Sequence, residues 1–378
     1  MFITSLLKGN RMNNNLKPID SKDKATLILE DGSVYECFSF GASKTICAEI
    51  VFNTGMTGYQ EILSDPSYAG QAVVMTYPLI GNYGISPANV ESEKVQASAI
   101  IVREYCQHES NWKSNQNISE YLKKENIAAI YGIDTRMLTK KIRTRGTMNC
   151  LITTDPCFDE LKKALISYRF PADIVSKISR KEALHLEGSG KKIALIDLGV
   201  KSGIIRYIQN ADCAITLLPW NTDSNTILSS GYDALFLSNG PGDPKDVSEV
   251  VSNVKHLISK LPIYGICLGH QILALALGAD TYKLKFGHRG SNHPVIDLRT
   301  GKVIITAQNH GYAVSESGIP DSMIITHKNI NDSTIEGFSC PELNIYSVQF
   351  HPEDGPGPED ANFIFNEWLQ ILEGCNYA

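Results

Sequence analysis

Leu261-Pro262-Ile263-Tyr264-Gly265-Ile266-Cys267-Leu268-Gly269-His270-Gln271-Ile272-Leu273-Ala274-Leu275-Ala276 changes its hydrophobic period halfway along. It begins as a short apolar run of strand type. It ends with helical spacing, Ile272, Leu273, Ala276 and Leu277 falling on one face. Between the two lies a tight turn, with Gly265 and Gly269 on either side of Cys267. This reads as strand, sharp turn, helix, with a nucleophile at the corner. Such a turn lifts the side chain clear of the sheet, and the glycines leave room for it. The helix that follows aims free N–H groups and its positive end at the sulfur, which favours the reactive thiolate. The N–H of Leu268 is placed to donate to an oxyanion. A buried packing cysteine is the competing reading. The flanking glycines argue against it, because a packing position needs no such backbone freedom.

A cysteine at an elbow needs a base. Tyr346-Ser347-Val348-Gln349-Phe350-His351-Pro352-Glu353 supplies one: a strand-like run delivers His351, with Glu353 two residues on. A carboxylate beside a histidine fixes its tautomer and supports the imidazolium. Gly265–Gln271 followed by His351-Pro352-Glu353 resembles the class I (triad) glutamine amidotransferases. Leu237-Ser238-Asn239-Gly240-Pro241-Gly242-Asp243-Pro244 is similar to their oxyanion-side loop. Three strings nearer the N-terminus narrow the resemblance: Asn53-Thr54-Gly55-Met56-Thr57-Gly58-Tyr59-Gln60-Glu61, Tyr77-Pro78-Leu79-Ile80-Gly81-Asn82 and Gly132-Ile133-Asp134-Thr135-Arg136. They look like the N-terminal domain of carbamoyl-phosphate synthetase small subunits, a domain not known in the triad amidotransferases of anthranilate or GMP synthesis. The resemblance runs from about Ala25 to the C-terminus.

The resemblance implies a glutaminase with Cys267 as nucleophile, His351 as base and Glu353 as its orienting carboxylate. It carries glutamine contacts to Gly240, Gly242, Leu268, Gln271, Asn309, Gly311 and Tyr312, the last three in a turn at Gln308–Tyr312. It also carries one to Gly55, where the family often has Ser. It implies L-glutamine as substrate, a large carbamoyl-phosphate synthetase subunit as partner in a heterodimer or higher assembly, and a product used in pyrimidine and arginine synthesis. No cofactor is expected in this chain; ATP and Mg belong on the large subunit. Ammonia would leave along a protected path, and Gly355-Pro356-Gly357-Pro358 is placed near its start. The alternatives are the glutaminase of another biosynthetic complex, a free-standing cysteine hydrolase, or a non-catalytic regulatory scaffold of the same fold.

The fold class expected is α/β: an N-terminal mixed α/β domain plus a C-terminal class I glutamine amidotransferase domain with a central, mostly parallel sheet. Residues 1–24 read as a loose extension and 25–155 as the first domain, opened by a hairpin about Asp31-Gly32. Residues 156–190 read as a connecting segment. Over 191–378 strand and helix alternate, the rhythm of a parallel sheet whose reactive loops follow its strands. After Gly278 the pattern turns to antiparallel strands over 293–298, 302–307, 323–327 and 334–339. A closing helix presents Phe363, Phe365, Trp368, Leu369 and Leu372.

Composition excludes other classes. A net charge of -6 offers no basic field for nucleic acid. No run approaches the roughly 18–20 apolar residues of a membrane span. The nine cysteines are scattered, without Cys-x-x-Cys spacing, so a reducing cytoplasm is expected and structural zinc is not. Gly188-Ser189-Gly190-Lys191 lacks the Ser or Thr of a phosphate loop and precedes a strand, so it reads as linker. His270 is expected to contact backbone at its helix start. His288 and His293 flank Arg289-Gly290-Ser291-Asn292 without a third ligand at sensible spacing, so no metal is expected.

Overall fold

The computed structural model describes residues 24–157, 161–353 and 355–374. The expected extension, up to residue 23, lies outside them. The hairpin forms as the Asp31-Gly32 signal requires: Lys24–Leu29 pairs antiparallel with Val34–Ser39. These strands belong to a closed barrel that continues through Ala128–Tyr131, Ala99–Ile101, Gln71–Met75, Ile46–Asn53 and Met148–Thr153, and returns to Lys24–Leu29. Closure removes both sheet edges. Ala72 and Val74 point into the barrel with Leu27, Ile50 and Ile101, while Val73 and Met75 pack outward against Tyr59, Leu63 and Leu122. Burial on both faces explains why this strand reads as an unbroken apolar run rather than an alternating one.

Among the described residues, the C-terminal sheet has ten strands. Its parallel heart is ordered Ala214–Pro219, Lys192–Asp197, Ala234–Leu237, Ile263–Ile266, Ile345–Val348. Ala194 and Ile196 pack on one face with the helices Ser248–Leu257 and Leu268–Leu277. Ile193 and Leu195 pack on the other with Ile204, Ile208, Phe365 and Trp368. The expected connecting segment contains elements of its own: helices Leu161–Ser167 and Ile174–Ile178, and a strand Leu184–Leu186 that extends the sheet antiparallel beside Ala214–Pro219.

Two further details differ from the sequence reading. The strands after Gly278 are longer than expected, Thr281–Asp297 pairing with Val303–Val314 across two register shifts. Asn309–Tyr312 is therefore strand rather than turn. The closing helix Phe363–Leu372 buries Ile364, Phe365 and Trp368 and leaves Phe363 partly in water. The apolar run is continuous there, so composition did not set the rotation of the helix.

Candidate active site

Ile263–Ile266 is buried at the centre of the sheet. It ends at Cys267, whose φ of 54° and ψ of -103° mark a strained non-glycine corner before the helix Leu268–Leu277. The flanking glycines have steric causes. A Cβ at Gly265 would lie 2.6 Å from Leu273 Cδ1, and one at Gly269 would lie 2.3 Å from the Leu237 carbonyl oxygen. Cys267 N–H donates to the Val348 carbonyl at 2.9 Å, which ties the elbow to the neighbouring strand. That strand, Ile345–Val348, runs parallel to Ile263–Ile266, so the His351 loop leaves the same sheet edge as Cys267. A backbone bond from His351 N–H to Ala307 O, 2.9 Å, holds the loop in place.

His351 Nδ1 lies 2.6 Å from Glu353 Oε1, and Lys201 Nζ donates to the same oxygen at 2.8 Å. All three side chains are buried. Burial opposes charge on each of them, and their mutual attraction outweighs it. Glu353 is held down to about 2, chiefly by Lys201 and then by His351. His351 is raised to about 10, chiefly by Glu353, with Lys201 opposing and the contact with Cys267 assisting. Lys201 is raised by Glu353, Glu91 and Asp65. His351 Nε2 makes no well-aligned hydrogen bond. Catalytic contacts commonly tighten only when substrate binds.

These shifts set a pH dependence. A raised histidine contributes stability in full below its unfolded value near 6.5, lost as pH rises through about 10. A depressed carboxylate contributes in full above about 4.5, lost as pH falls through about 2. In urea denaturation the stability gap between the wild type and Glu353→Gln should be widest between pH 4.5 and 6.5 and shrink on both sides. A gap unchanged from pH 4 to 10 would contradict the pairing.

Gly240, Gly242, Cys267, Gln271, Asn309, Gly311 and Tyr312 line one cleft. Leu268 is the first residue of its helix, so its N–H has no acceptor within that helix. A Cβ at Gly240 would lie 2.3 Å from Leu198 O and 2.8 Å from Leu268 Cδ2, so only glycine lets this loop approach the elbow. Gln271 Nε2 donates to Tyr312 O and Gln349 Oε1, both at 2.9 Å. The Asn309 carbonyl lies 3.7 Å from Cys267 Sγ. Its side-chain amide donates to Asp65 Oδ2 at 2.8 Å, so it ties the barrel to the site.

Three expectations meet the geometry differently. Gly55 does not line the cleft. A Cβ there would meet Asn53 Oδ1 at 2.9 Å, Thr57 O at 3.3 Å and Ser291 Oγ at 3.8 Å. Ser67, beside the barrel strand Gln71–Met75, lines the cleft with Cys267, and its Oγ accepts from Asn239 Nδ2 at 2.9 Å. His270 does not contact backbone through its ring: Nδ1 pairs with Ser347 Oγ at 2.9 Å, and burial pushes the imidazole down to about 3. In the turn Gly355–Pro358, expected near the start of the ammonia path, Gly357 packs closely, since a Cβ would lie 2.7 Å from Ala307 Cβ. Gly355 and Pro356 do line a second cavity, shared with His351, Lys201 and Asn309.

Sequence reasoning missed Ser67, Lys201, and the charged residues Glu49, Lys283 and Arg289 of the cleft wall. Two signals were available. Lys201 follows the strand Lys192–Asp197 at the same sheet edge as the elbow. Asp65-Pro66-Ser67 has the cap-then-proline start of a short helical turn, and Asp65 Oδ1 accepts from Ser67 N–H at 2.8 Å. Ser67→Leu is expected to raise KM for glutamine about tenfold or more, and Gly55→Val to raise it less, because only the first fills the cleft. A larger KM change in Gly55→Val would place the wrong residue against substrate.

A cysteine at a strained strand-to-helix elbow and a buried histidine–carboxylate pair at one edge of a parallel sheet fit a class I glutamine amidotransferase domain, and that family's profile matches residues 194–371. The carbamoyl-phosphate synthase small chain, CPSase domain, matches residues 27–152. This chain is 49% identical over 350 residues to the "Carbamoyl phosphate synthase small chain" of Clostridium acetobutylicum, covering 92% of this chain and 100% of that one. It is 48% identical over 351 residues to the "Carbamoyl phosphate synthase pyrimidine-specific small chain" of Bacillus subtilis, covering 93% and 96%. The chain belongs to the carbamoyl-phosphate synthase small-chain family. Among the described residues, no helix is long and apolar enough to cross a membrane.

Proposed function

We propose that this chain hydrolyses L-glutamine through Cys267, His351 and Glu353 and delivers ammonia to a large carbamoyl-phosphate synthase chain in a heterodimer. Thiolate is the attacking form, its proton residing on His351. The sulfur adds to the side-chain amide carbon. The N–H groups of Leu268 and Gly240 receive the oxyanion. His351, held by Glu353, then gives its proton to the departing ammonia, leaving a γ-glutamyl thioester. Water, with His351 now as base, releases glutamate. The observation that carries this reading is the buried chain of contacts from Lys201 through Glu353 and His351 to a strained Cys267 at the floor of the cleft.

Ammonia reaching water would become ammonium and lose its nucleophilic lone pair. The cavity lined by His351, Asn309, Gly355 and Pro356 supports an exit beside the histidine. We place the reaction in the cytoplasm, where scattered free thiols persist. The product would feed pyrimidine synthesis, arginine synthesis or both. The test is reconstitution with the large chain, ATP and bicarbonate. Carbamoyl phosphate should form from glutamine only with both chains present. Synthesis by this chain alone would overturn the two-chain reading. Full glutamine-dependent synthesis by the large chain alone would make this chain the idle scaffold.

A further inference from the structure

Among the described residues, His288, His310 and Glu336 form a group of metal-ligating side chains outside the triad, with candidate ligand atoms all within 4.8 Å of one another. They are 7%, 5% and 0% exposed. They come from three strands: Thr281–Asp297, Val303–Val314 and Ile335–Cys340. Sequence spacing could not reveal the third member, because sheet pairing alone brings Glu336 to the two histidines. His293, which looked like the partner of His288 in sequence, packs its ring 5.2 Å away and is not in the cluster.

The hydrogen bonds fix where the ring protons sit. His310 Nδ1 lies 2.8 Å from the Tyr312 carbonyl, which can only accept, so Nδ1 carries the proton and Nε2 presents a lone pair. His288 Nε2 lies 2.8 Å from Asp332 Oδ2, again an acceptor, so Nε2 carries a proton and Nδ1, facing Glu336, is the atom that holds either a second proton or a metal. Both nitrogens, His310 Nε2 and His288 Nδ1, turn towards more acceptors. His288 Nδ1 is 3.4 Å from Glu336 Oε1 and makes no hydrogen bond of good geometry. His310 Nε2 is 3.9 Å from the same oxygen and 3.2 Å from Gln308 Oε1. The orientation of Gln308 is itself fixed, its Nε2 donating to Glu336 Oε2 and Thr306 Oγ1, both at 3.1 Å. With His288 Nδ1 unprotonated, four electron-rich atoms converge, an arrangement that costs energy unless a proton or a metal cation sits among them.

We propose that His288 Nδ1, His310 Nε2, Glu336 Oε1 and Gln308 Oε1 form a binding site for a divalent transition metal of the zinc class. Tetrahedral ligands at about 2.0–2.2 Å from zinc lie about 3.3–3.6 Å apart. Three of the separations, 3.4, 3.9 and 3.2 Å, lie near that range, and the widest in the cluster, up to 4.8 Å, has to close as the ion draws the ligands in. Two imidazoles and a carboxylate suit zinc better than calcium or magnesium, which take oxygen ligands. Each histidine gives its other N–H to a carboxylate or a carbonyl, the outer arrangement that orients metal-bound imidazoles. The site is closed, so the ion is structural. It clamps the three strands at His310, which stands between Asn309 and Gly311 of the cleft. Without metal, a proton on His288 Nδ1 would fill the gap to Glu336.

The test uses the full chain carrying Cys267→Ser, which removes the catalytic thiol as a competing ligand. After exposure to zinc and dialysis against metal-free buffer, elemental analysis should find one zinc per chain. Cobalt in its place should give tetrahedral ligand-field absorption, and zinc should raise the thermal midpoint. Adding Glu336→Gln, which keeps the bond from Gln308, should abolish retention. Asp332→Asn should weaken it about 10–100-fold, as loss of an outer partner does. Circular dichroism melting of each variant without metal confirms folding. Absence of stoichiometric zinc in Cys267→Ser would overturn the proposal and leave a protonated His288 as the occupant. Equal affinity in both Glu336→Gln and Asp332→Asn would also overturn it, showing an adventitious ion only.

Discussion

Cys267→Ser is expected to lower glutamine hydrolysis by about 10³-fold or more while carbamoyl phosphate synthesis from added ammonia, in complex with the large chain, stays near the wild-type rate. A serine hydroxyl fits the elbow. It is a far weaker nucleophile than a thiolate at neutral pH, and His351 is arranged to share a proton with sulfur. Residues that act as one unit lose most of the rate when any essential member goes, so His351→Ala should fall nearly as far. Glu353→Ala should retain a measurable remnant, because orienting a base matters less than supplying one. The glutaminase assay of the chain itself separates loss of chemistry from loss of assembly. A variant that failed to dock would lose neither activity of the large chain with ammonia nor its own glutaminase. Cys267→Ser with full glutaminase activity would remove the triad assignment.

Lys201→Met is expected to destabilise the chain by roughly 3–5 kcal/mol, the usual range when one partner of a buried ion pair is deleted. Lys201 is 2% exposed and within 2.8 Å of Glu353 Oε1, with Glu91 and Asp65 adding attraction. Without it, Glu353 keeps only His351, and the buried carboxylates lose their common cation. Methionine preserves most of the side-chain volume, so the loss reports charge rather than packing. The sign for His351 also follows. Lys201 holds the imidazole down, so its removal should raise the histidine further and move the alkaline limb of the glutaminase profile to higher pH. Chemical denaturation and a pH–rate profile measure the two effects. Unchanged stability together with an unchanged profile would mean that Lys201 is not coupled to the catalytic pair.

The elbow was legible because three local signals coincide there: a change of hydrophobic period, two glycines and a cysteine between them. His351 was legible because it ends a strand run, and in a parallel sheet strand ends converge on one edge. The barrel was not legible. Ala99–Ile101 is three residues long and wholly buried, Ala128–Tyr131 is four, and ring closure through Met148–Thr153 depends on pairing across more than a hundred residues. No local period encodes that. Ser67 and Lys201 escaped for a related reason. Each sits in a segment with no apparent chemistry of its own, and each acquires its role where barrel and sheet meet, through Asn239 and Glu353. Gly55 shows the limit in the other direction: its neighbours resemble a family string, but its N–H donates to Asn53 Oδ1.

The central claim is covalent catalysis by Cys267, and mass spectrometry of the acyl-enzyme tests it most directly. Wild-type protein mixed with glutamine and quenched in acid during turnover should carry one γ-glutamyl group on the peptide containing Cys267. The adduct should vanish in Cys267→Ser and diminish in His351→Ala. A glutaminase turning over with no adduct on Cys267, or with the adduct on another cysteine, would contradict the account.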